Sequence, residues 1–201
     1  MKTQRQPRPY RMAARADAAA DTHRRILEAA IESLGARPFE EVSLAEIAHA
    51  AGVTVQTVLR RFGSKEGLGE AAARLGMEQV REHRFAVAPG DLDGALSRLL
   101  EHYEQWGERS LLFLSQEQRV PAMRALVEDG RALHHAWVEH AFAPWLKSRR
   151  GAARLRLRAQ LIAATDVYAW KIWRRDLALD PRTTATTLRA LVDAALASTT
   201  P

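Results

Sequence analysis

The chain has 201 residues, of which 47% are hydrophobic and 27% are charged, so it can bury a core and is too apolar to be disordered. It has 30 Lys and Arg against 24 Asp and Glu, a net charge of +6, and no cysteine. Disulfides, thiol chemistry and cysteine-ligated zinc are therefore excluded. Because no apolar run is long enough for a membrane span or a signal peptide, we expect a cytoplasmic protein.

The positive charge is concentrated in two segments. Residues 1–20 include five cations between Lys2 and Arg15, together with Pro7 and Pro9, and we expect a flexible basic arm. Residues 147–158 hold a second basic run, which we interpret as a solvated loop and helix start.

Apolar residues recur at spacings of three and four along nearly the whole chain, which predicts an all-α fold of about nine helices. Glycines and prolines mark the connections, and Pro144 should kink or end its helix. Short segments followed by long ones predict two domains, 21–63 and 64–201. The predicted helices span 22–35, 43–50, 54–61, 64–84, 91–109, 110–117, 121–148, 153–177 and 181–198.

Residues 43–62 carry a pattern typical of a helix-turn-helix. Ser43 to Glu46 form a capping box that begins one helix, Gly52 suits a turn with positive φ, and Thr54 caps the next helix. The outer face of that second helix presents an amide, a hydroxyl and a guanidinium to base edges in a major groove, from Gln56, Thr57 and Arg60.

Four stretches resemble the DNA-binding region of the tetracycline-repressor (TetR) family: Leu44-Ala45-Glu46-Ile47-Ala48, Ala51-Gly52-Val53-Thr54, Arg61-Phe62 and Ser64-Lys65-Glu66-Gly67-Leu68. The resemblance covers about residues 22–70. Two positions depart from the family pattern, since Leu59 replaces a usual aromatic residue and Arg61 replaces a histidine or aromatic residue. The DNA-contacting residues that the resemblance implies are Ser43, Thr54, Val55, Gln56, Thr57, Leu59, Arg60, Arg61 and Lys65.

The resemblance also implies a regulator, most simply a repressor, that binds palindromic operator DNA as a homodimer and is released by a small molecule. Its two final helices, 153–177 and 181–198, would form the dimer interface. We expect an apolar or aromatic effector, and strongly anionic metabolites are not expected. The residues predicted to line the effector site are Tyr103, Trp106, Met123, His134, Trp137 and Tyr168, with Asp166 as a further polar anchor.

Several alternatives stay open. The chain could be an architectural DNA-binding protein that responds to no ligand, or a helical enzyme built from dispersed residues. His135 and Glu139 are the one obvious metal-ligand pair at helical spacing, and we expect no metal and no cofactor. The basic arm could enter a minor groove, serve as a tail without a role, or act as a transit peptide.

Overall fold

A computed structural model of the chain describes the backbone of residues 8–198 and the side chains of residues 15–198. Every regular element in this range is a helix, which confirms the all-α prediction. None of these helices is long and apolar enough to cross a membrane. A 3₁₀ turn spans Phe39–Glu41 and a π-helical turn spans Ile172–Asp176. The α-helices are α1 (Arg8–Ala36), α2 (Leu44–Ala50), α3 (Val55–Phe62), α4 (Lys65–Phe85), α5 (Leu92–Gln116), α6 (Pro121–Ala141), α7 (Ala143–Lys147), α8 (Gly151–Ala164), α9 (Val167–Lys171) and α10 (Pro181–Ala197).

Helix α1 begins much earlier than the sequence predicts. The prediction of a flexible arm over residues 1–20 is wrong from Arg8 onward, while residues 1–7 lie outside the described residues. Two properties of the sequence explain the difference. Pro9 falls in the first turn, where a missing amide hydrogen is tolerated, and the alanines from Ala18 to Ala20 favour helix strongly.

The long predicted helices differ from the observed ones at three places. The predicted split of 91–117 is wrong, because α5 runs unbroken from Leu92 to Gln116. The segment 121–148 divides at Phe142, with Pro144 in the first turn of α7, as predicted for this proline. The segment 153–177 is broken before α9, because the Asp166 side chain accepts a hydrogen bond from the Tyr168 amide and caps a new helix.

The chain divides into two compact units, Met1–Leu75 and Gly76–Pro201. The division falls inside α4, later than the predicted domain boundary at 63/64. The first turns of α4 pack in the N-terminal unit, since Gly69 lies against the Phe39 ring and Leu68 is fully buried. The other buried side chains of this unit include Ile26, Ala30, Ile47, Ala48 and Val58.

The C-terminal unit is built around α5, which packs against α6, α9 and α10. Its core holds several large side chains, including Leu99, Trp137, Phe142, Leu161 and Trp170. Helices α5 and α9 approach closely at Gly107, where a Cβ atom would lie 2.5 Å from the Trp170 ring. A glycine is therefore required at this crossing, because a planar ring on the facing helix leaves no room for a methyl group.

This crossing generates a matched pair of variants. We expect Gly107→Ala to lower the free energy of unfolding by about 1–3 kcal/mol, because the added methyl must displace Trp170. Gly130→Ala in α6, where a Cβ would meet no atom within 4 Å, should raise it by roughly 0.5–1 kcal/mol through helix propensity. Urea unfolding of both variants measures the difference, and stabilisation by Gly107→Ala would show that α5 and α9 do not pack in this way.

Candidate nucleic-acid interface and ligand site

Helix α2 begins with the predicted capping box, which the structure confirms. The Glu46 amide donates to Ser43 Oγ at 3.2 Å, and the Ser43 amide donates to Glu46 Oε2 at 2.8 Å. The hydrogen bonds from Ser43, together with one from Arg37, lower the pKa of the Glu46 carboxyl. Two of the free amides at the start of α2 are thus hydrogen-bonded.

The turn between α2 and α3 depends on Gly52, whose φ is 65°. The Val53 amide donates to the Ala48 carbonyl at 2.9 Å, which closes the turn. Arg25 of α1 donates to the Ala51 carbonyl at 3.0 Å, so a third helix also holds it. A Cβ at position 52 would be strained by its backbone and would lie 3.3 Å from Arg25 Nη1.

Helix α3 is held on one face and open on the other. Thr54 Oγ1 accepts from the Thr57 amide at 3.2 Å, and Val58 is fully buried. Phe62 is half-buried, and its ring stacks on His23 of α1 with 5.0 Å between centroids. This packing fixes the direction in which the opposite face points.

The predicted contact residues of α3 fall into two groups. Gln56 and Arg60 are exposed, and Thr54 beside them is exposed as well. The half-buried group is Val55, Thr57, Leu59 and Arg61. The Thr57 hydroxyl is 3.0 Å from the Thr54 hydroxyl, and Arg61 Nε is buried without an acceptor.

Lys65 stands in the first turn of α4, after a Ser64 cap that accepts from the Gly67 amide at 3.1 Å. Its ammonium lies 4.4 Å from the centre of the Phe39 ring, a cation–π distance. The lysine is thus held at a helix N-terminus, where free amides and the helix dipole favour an anion.

In the C-terminal unit, three of the predicted effector residues are brought together. The Tyr103 hydroxyl donates to the Thr165 carbonyl at 2.9 Å, and the Thr165 hydroxyl is 3.2 Å from His134 Nε2. The His134 ring in turn stacks on Trp137, with 5.8 Å between centroids. All four side chains are buried, and burial raises the pKa of the Tyr103 hydroxyl.

The other predicted effector residues lie in different surroundings. Met123 is buried. Trp106 is half-buried, with the Arg109 guanidinium 4.5 Å from its ring centre. Tyr168 is 53% exposed. Asp166, predicted as a polar anchor, uses its carboxylate to cap α9.

Sequence reasoning missed the most unusual residue of this cluster, Arg84, which is buried in the last turn of α4. Its Nη2 lies 2.9 Å from His134 Nδ1, and its guanidinium lies 4.3 Å from the Trp137 ring centre. The sequence did indicate that Arg84 could be buried, because it follows Met77 and Val80 at spacings of seven and four and so shares their helical face.

The pKa values of two histidines in this unit are strongly lowered. Burial, reinforced by the charge of Arg84, lowers the pKa of both His102 and His134 to about 3. Both rings are therefore neutral near pH 7, so they can accept hydrogen bonds as well as donate them.

The fold and the capped, exposed α3 define a helix-turn-helix protein. A sequence model described as "Bacterial regulatory proteins, tetR family" matches residues 26–72. Residues 26–72 therefore match the N-terminal domain of the TetR family, which confirms the resemblance seen in the sequence.

Individual relatives agree with this assignment. The HTH-type transcriptional regulatory protein RaaS of Mycobacterium tuberculosis (strain ATCC 25618 / H37Rv) is 47% identical over 65 residues, which are 32% of this chain and only 30% of that protein. A putative TetR-family transcriptional regulator from Rhodococcus sp. has a similar structure, with a TM-score of 0.68 and 17% identity over 89% of this chain and 100% of that one. A putative transcriptional regulator from Saccharomonospora viridis, solved in complex with choline, has a TM-score of 0.64 and 19% identity over 87% of this chain and 96% of that one. The solved structures establish the fold of both units.

The neutral histidines predict a pH dependence of stability. Because the folded-state pKa of each lies below the ordinary 6.5, stability is fully present above about pH 6.5 and is lost as the pH falls toward 3. Each histidine should contribute a slope of about 1.4 kcal/mol per pH unit over this range. The free energy of unfolding, measured with urea between about pH 6 and 4, should depend less steeply on pH in His134→Gln than in the wild type. His49→Gln, at an exposed position, controls for the substitution itself, and equal slopes in the wild type and His134→Gln would contradict the burial of a neutral His134.

Proposed function

We propose that the protein is a ligand-responsive transcriptional regulator, most simply a cytoplasmic repressor, that binds palindromic operator DNA as a homodimer and is released by a small apolar effector. The observation that carries this proposal is the geometry of α3. This helix is capped by Thr54, anchored through Val58, and leaves Gln56 and Arg60 exposed beside each other on its outer face. These two side chains suit adenine and guanine edges in a major groove.

The other predicted contact residues are proposed to position the protein on the DNA backbone. Lys65 and the caps at Ser43 and Thr54 lie at helix N-termini, where phosphate oxygens bind well. The half-buried Arg61 supplies a charge-assisted phosphate contact. The half-buried Val55, Thr57 and Leu59 complete the surface that faces the groove.

The dimer is proposed from the apolar surface of the last helices. On α10, Leu188 and Val192 are buried in their own unit, whereas Leu191 is 47% exposed. Leu155 on α8 is 66% exposed, and Ile172 after α9 is exposed as well. Large apolar side chains that one chain leaves exposed on packed helices are typical of a self-complementary interface.

The effector is proposed to bind at the cluster of Tyr103, His134 and Trp137, with Trp106, Met123 and Tyr168 as further lining residues. Helix α4 contributes Lys65 to one unit and Arg84 to the other. An effector that prefers a shifted position of α4 would therefore weaken DNA binding. The choline bound by the Saccharomonospora viridis protein is a cation, and the buried guanidinium of Arg84 disfavours such a ligand here.

DNA binding is tested with a palindrome selected from random sequences, compared with a scrambled duplex. We expect Gln56→Ala or Arg60→Ala to weaken binding to the selected site by about 1–3 kcal/mol and to relax base preference. Lys65→Ala should weaken binding to both duplexes alike and reduce the salt dependence. Equal wild-type affinity for the two duplexes at physiological salt would instead favour an architectural DNA-binding protein.

The dimer is tested by placing a charge on the exposed face of α10. Leu191→Glu should give folded monomers with reduced operator affinity, because a carboxylate would be buried in the interface. Ala132→Glu, on an exposed position of α6 outside the proposed interface, should remain dimeric. Light scattering at micromolar concentration gives the oligomeric state, and a monomeric wild-type protein would refute the proposal.

A further inference from the structure

Arg84 carries a charge that the surrounding protein does not neutralise. The residue is 3% exposed, and its Nε is buried without a hydrogen-bond acceptor. Within residues 15–198, no carboxylate forms an ion pair with its guanidinium. Burial lowers the pKa of Arg84, but an arginine in a protein keeps its proton, so the positive charge stays in the core.

Two acidic side chains of the same unit have other partners. Asp166 accepts from the Tyr168 amide at 2.9 Å. Glu104 accepts from Trp170 Nε1 at 2.9 Å and pairs with Arg174 at 2.6 Å. Asp166 thus stabilises the start of α9, Glu104 stabilises the contact of α5 with Trp170 and Arg174, and neither carboxylate pairs with Arg84.

The groups that do contact Arg84 are neutral acceptors. Arginine only donates, so His134 Nδ1 must accept from Nη2, and the histidine proton must sit on Nε2. Nε2 then donates to the Thr165 hydroxyl, which donates in turn to the Leu161 carbonyl at 2.6 Å. The Trp137 face and the C-terminal end of α4 add weak negative potential. A buried guanidinium with only such partners is less well stabilised than one that donates two parallel hydrogen bonds to a carboxylate.

We propose that the Arg84 guanidinium binds the carboxylate of an apolar monocarboxylic acid, which is the effector of this protein. The ligand class deepens the proposed function and rests on it. A single cation matches a single negative charge, so a carboxylate fits better than a phosphate group carrying nearly two. Tyr103 and Trp137 are the buried aromatic side chains of this cluster and would contact the apolar body, and Arg84 Nε supplies the donor that is without an acceptor.

Matched probes separate charge from shape. Calorimetric titration at pH 7.5 compares phenylacetate, 2-naphthoate and octanoate, each with its primary amide. In at least one pair, we expect the wild-type protein to bind the carboxylate at least about tenfold more tightly than the amide. Arg84→Met should lose this preference, and Arg84→Lys should keep part of it, since lysine retains the charge without the fork.

Arg81→Met is the matched control, because Arg81 lies one turn earlier on α4 with an exposed side chain. This variant should bind all probes as the wild type does. If Arg84→Met does not fold, the wild-type pairs and Arg84→Lys still decide the matter. The proposal is overturned if no carboxylate binds up to its solubility limit, if the wild type binds carboxylates and amides equally, or if Arg84→Met keeps the preference.

Operator binding is measured in the same preparations with the selected palindrome. A protein that binds the palindrome but shows no carboxylate preference would refute the ligand class alone. A protein that prefers carboxylates through Arg84 but binds no DNA specifically would refute the proposed regulator and leave the anion site standing. Release of the palindrome by the preferred carboxylate, absent in Arg84→Met, would connect the two.

Discussion

The presentation of α3 depends on the turn at Gly52. Its positive φ allows the chain to reverse within a few residues, and the Val53 to Ala48 hydrogen bond closes the reversal. Arg25 then ties this turn to α1, and Val58 anchors the helix that follows. Every side chain on the outer face of α3 takes its direction from these contacts, so the DNA-binding proposal rests on a backbone constraint before it rests on any single contact.

In the proposed regulator, helix α4 is the element through which a ligand would influence DNA binding. Its first turns pack in the N-terminal unit through Leu68, and its last turn places Arg84 in the buried cluster of the C-terminal unit. The cluster is held together by neutral hydrogen bonds around one charge, so an anion entering it would change the forces on α4 directly. Release then requires only that the ligand prefer the form of the protein with lower DNA affinity.

Local chemistry explains what could be predicted from the sequence. The capping box at Ser43, the glycine turn and the Thr54 cap each depend on residues within a few positions, and each is found as expected. The break before α9 was missed because a capping aspartate resembles any surface aspartate in an amphipathic pattern. Arg84 was missed for a similar reason, since an arginine near a helix end is normally solvated, and its burial comes from packing against the distant Trp137 and His134.

The central claim, that α3 reads the major groove in two half-sites, is tested most directly by methylation interference on a duplex selected by the protein from random sequences. Methyl groups at guanine N7 project into the major groove and block side chains that approach it. We expect interference at guanines in two symmetric half-sites, whose centres lie about 10–10.5 base pairs, or a multiple of this, apart. Binding that is indifferent to N7 methylation, or interference confined to one half-site, would contradict this claim.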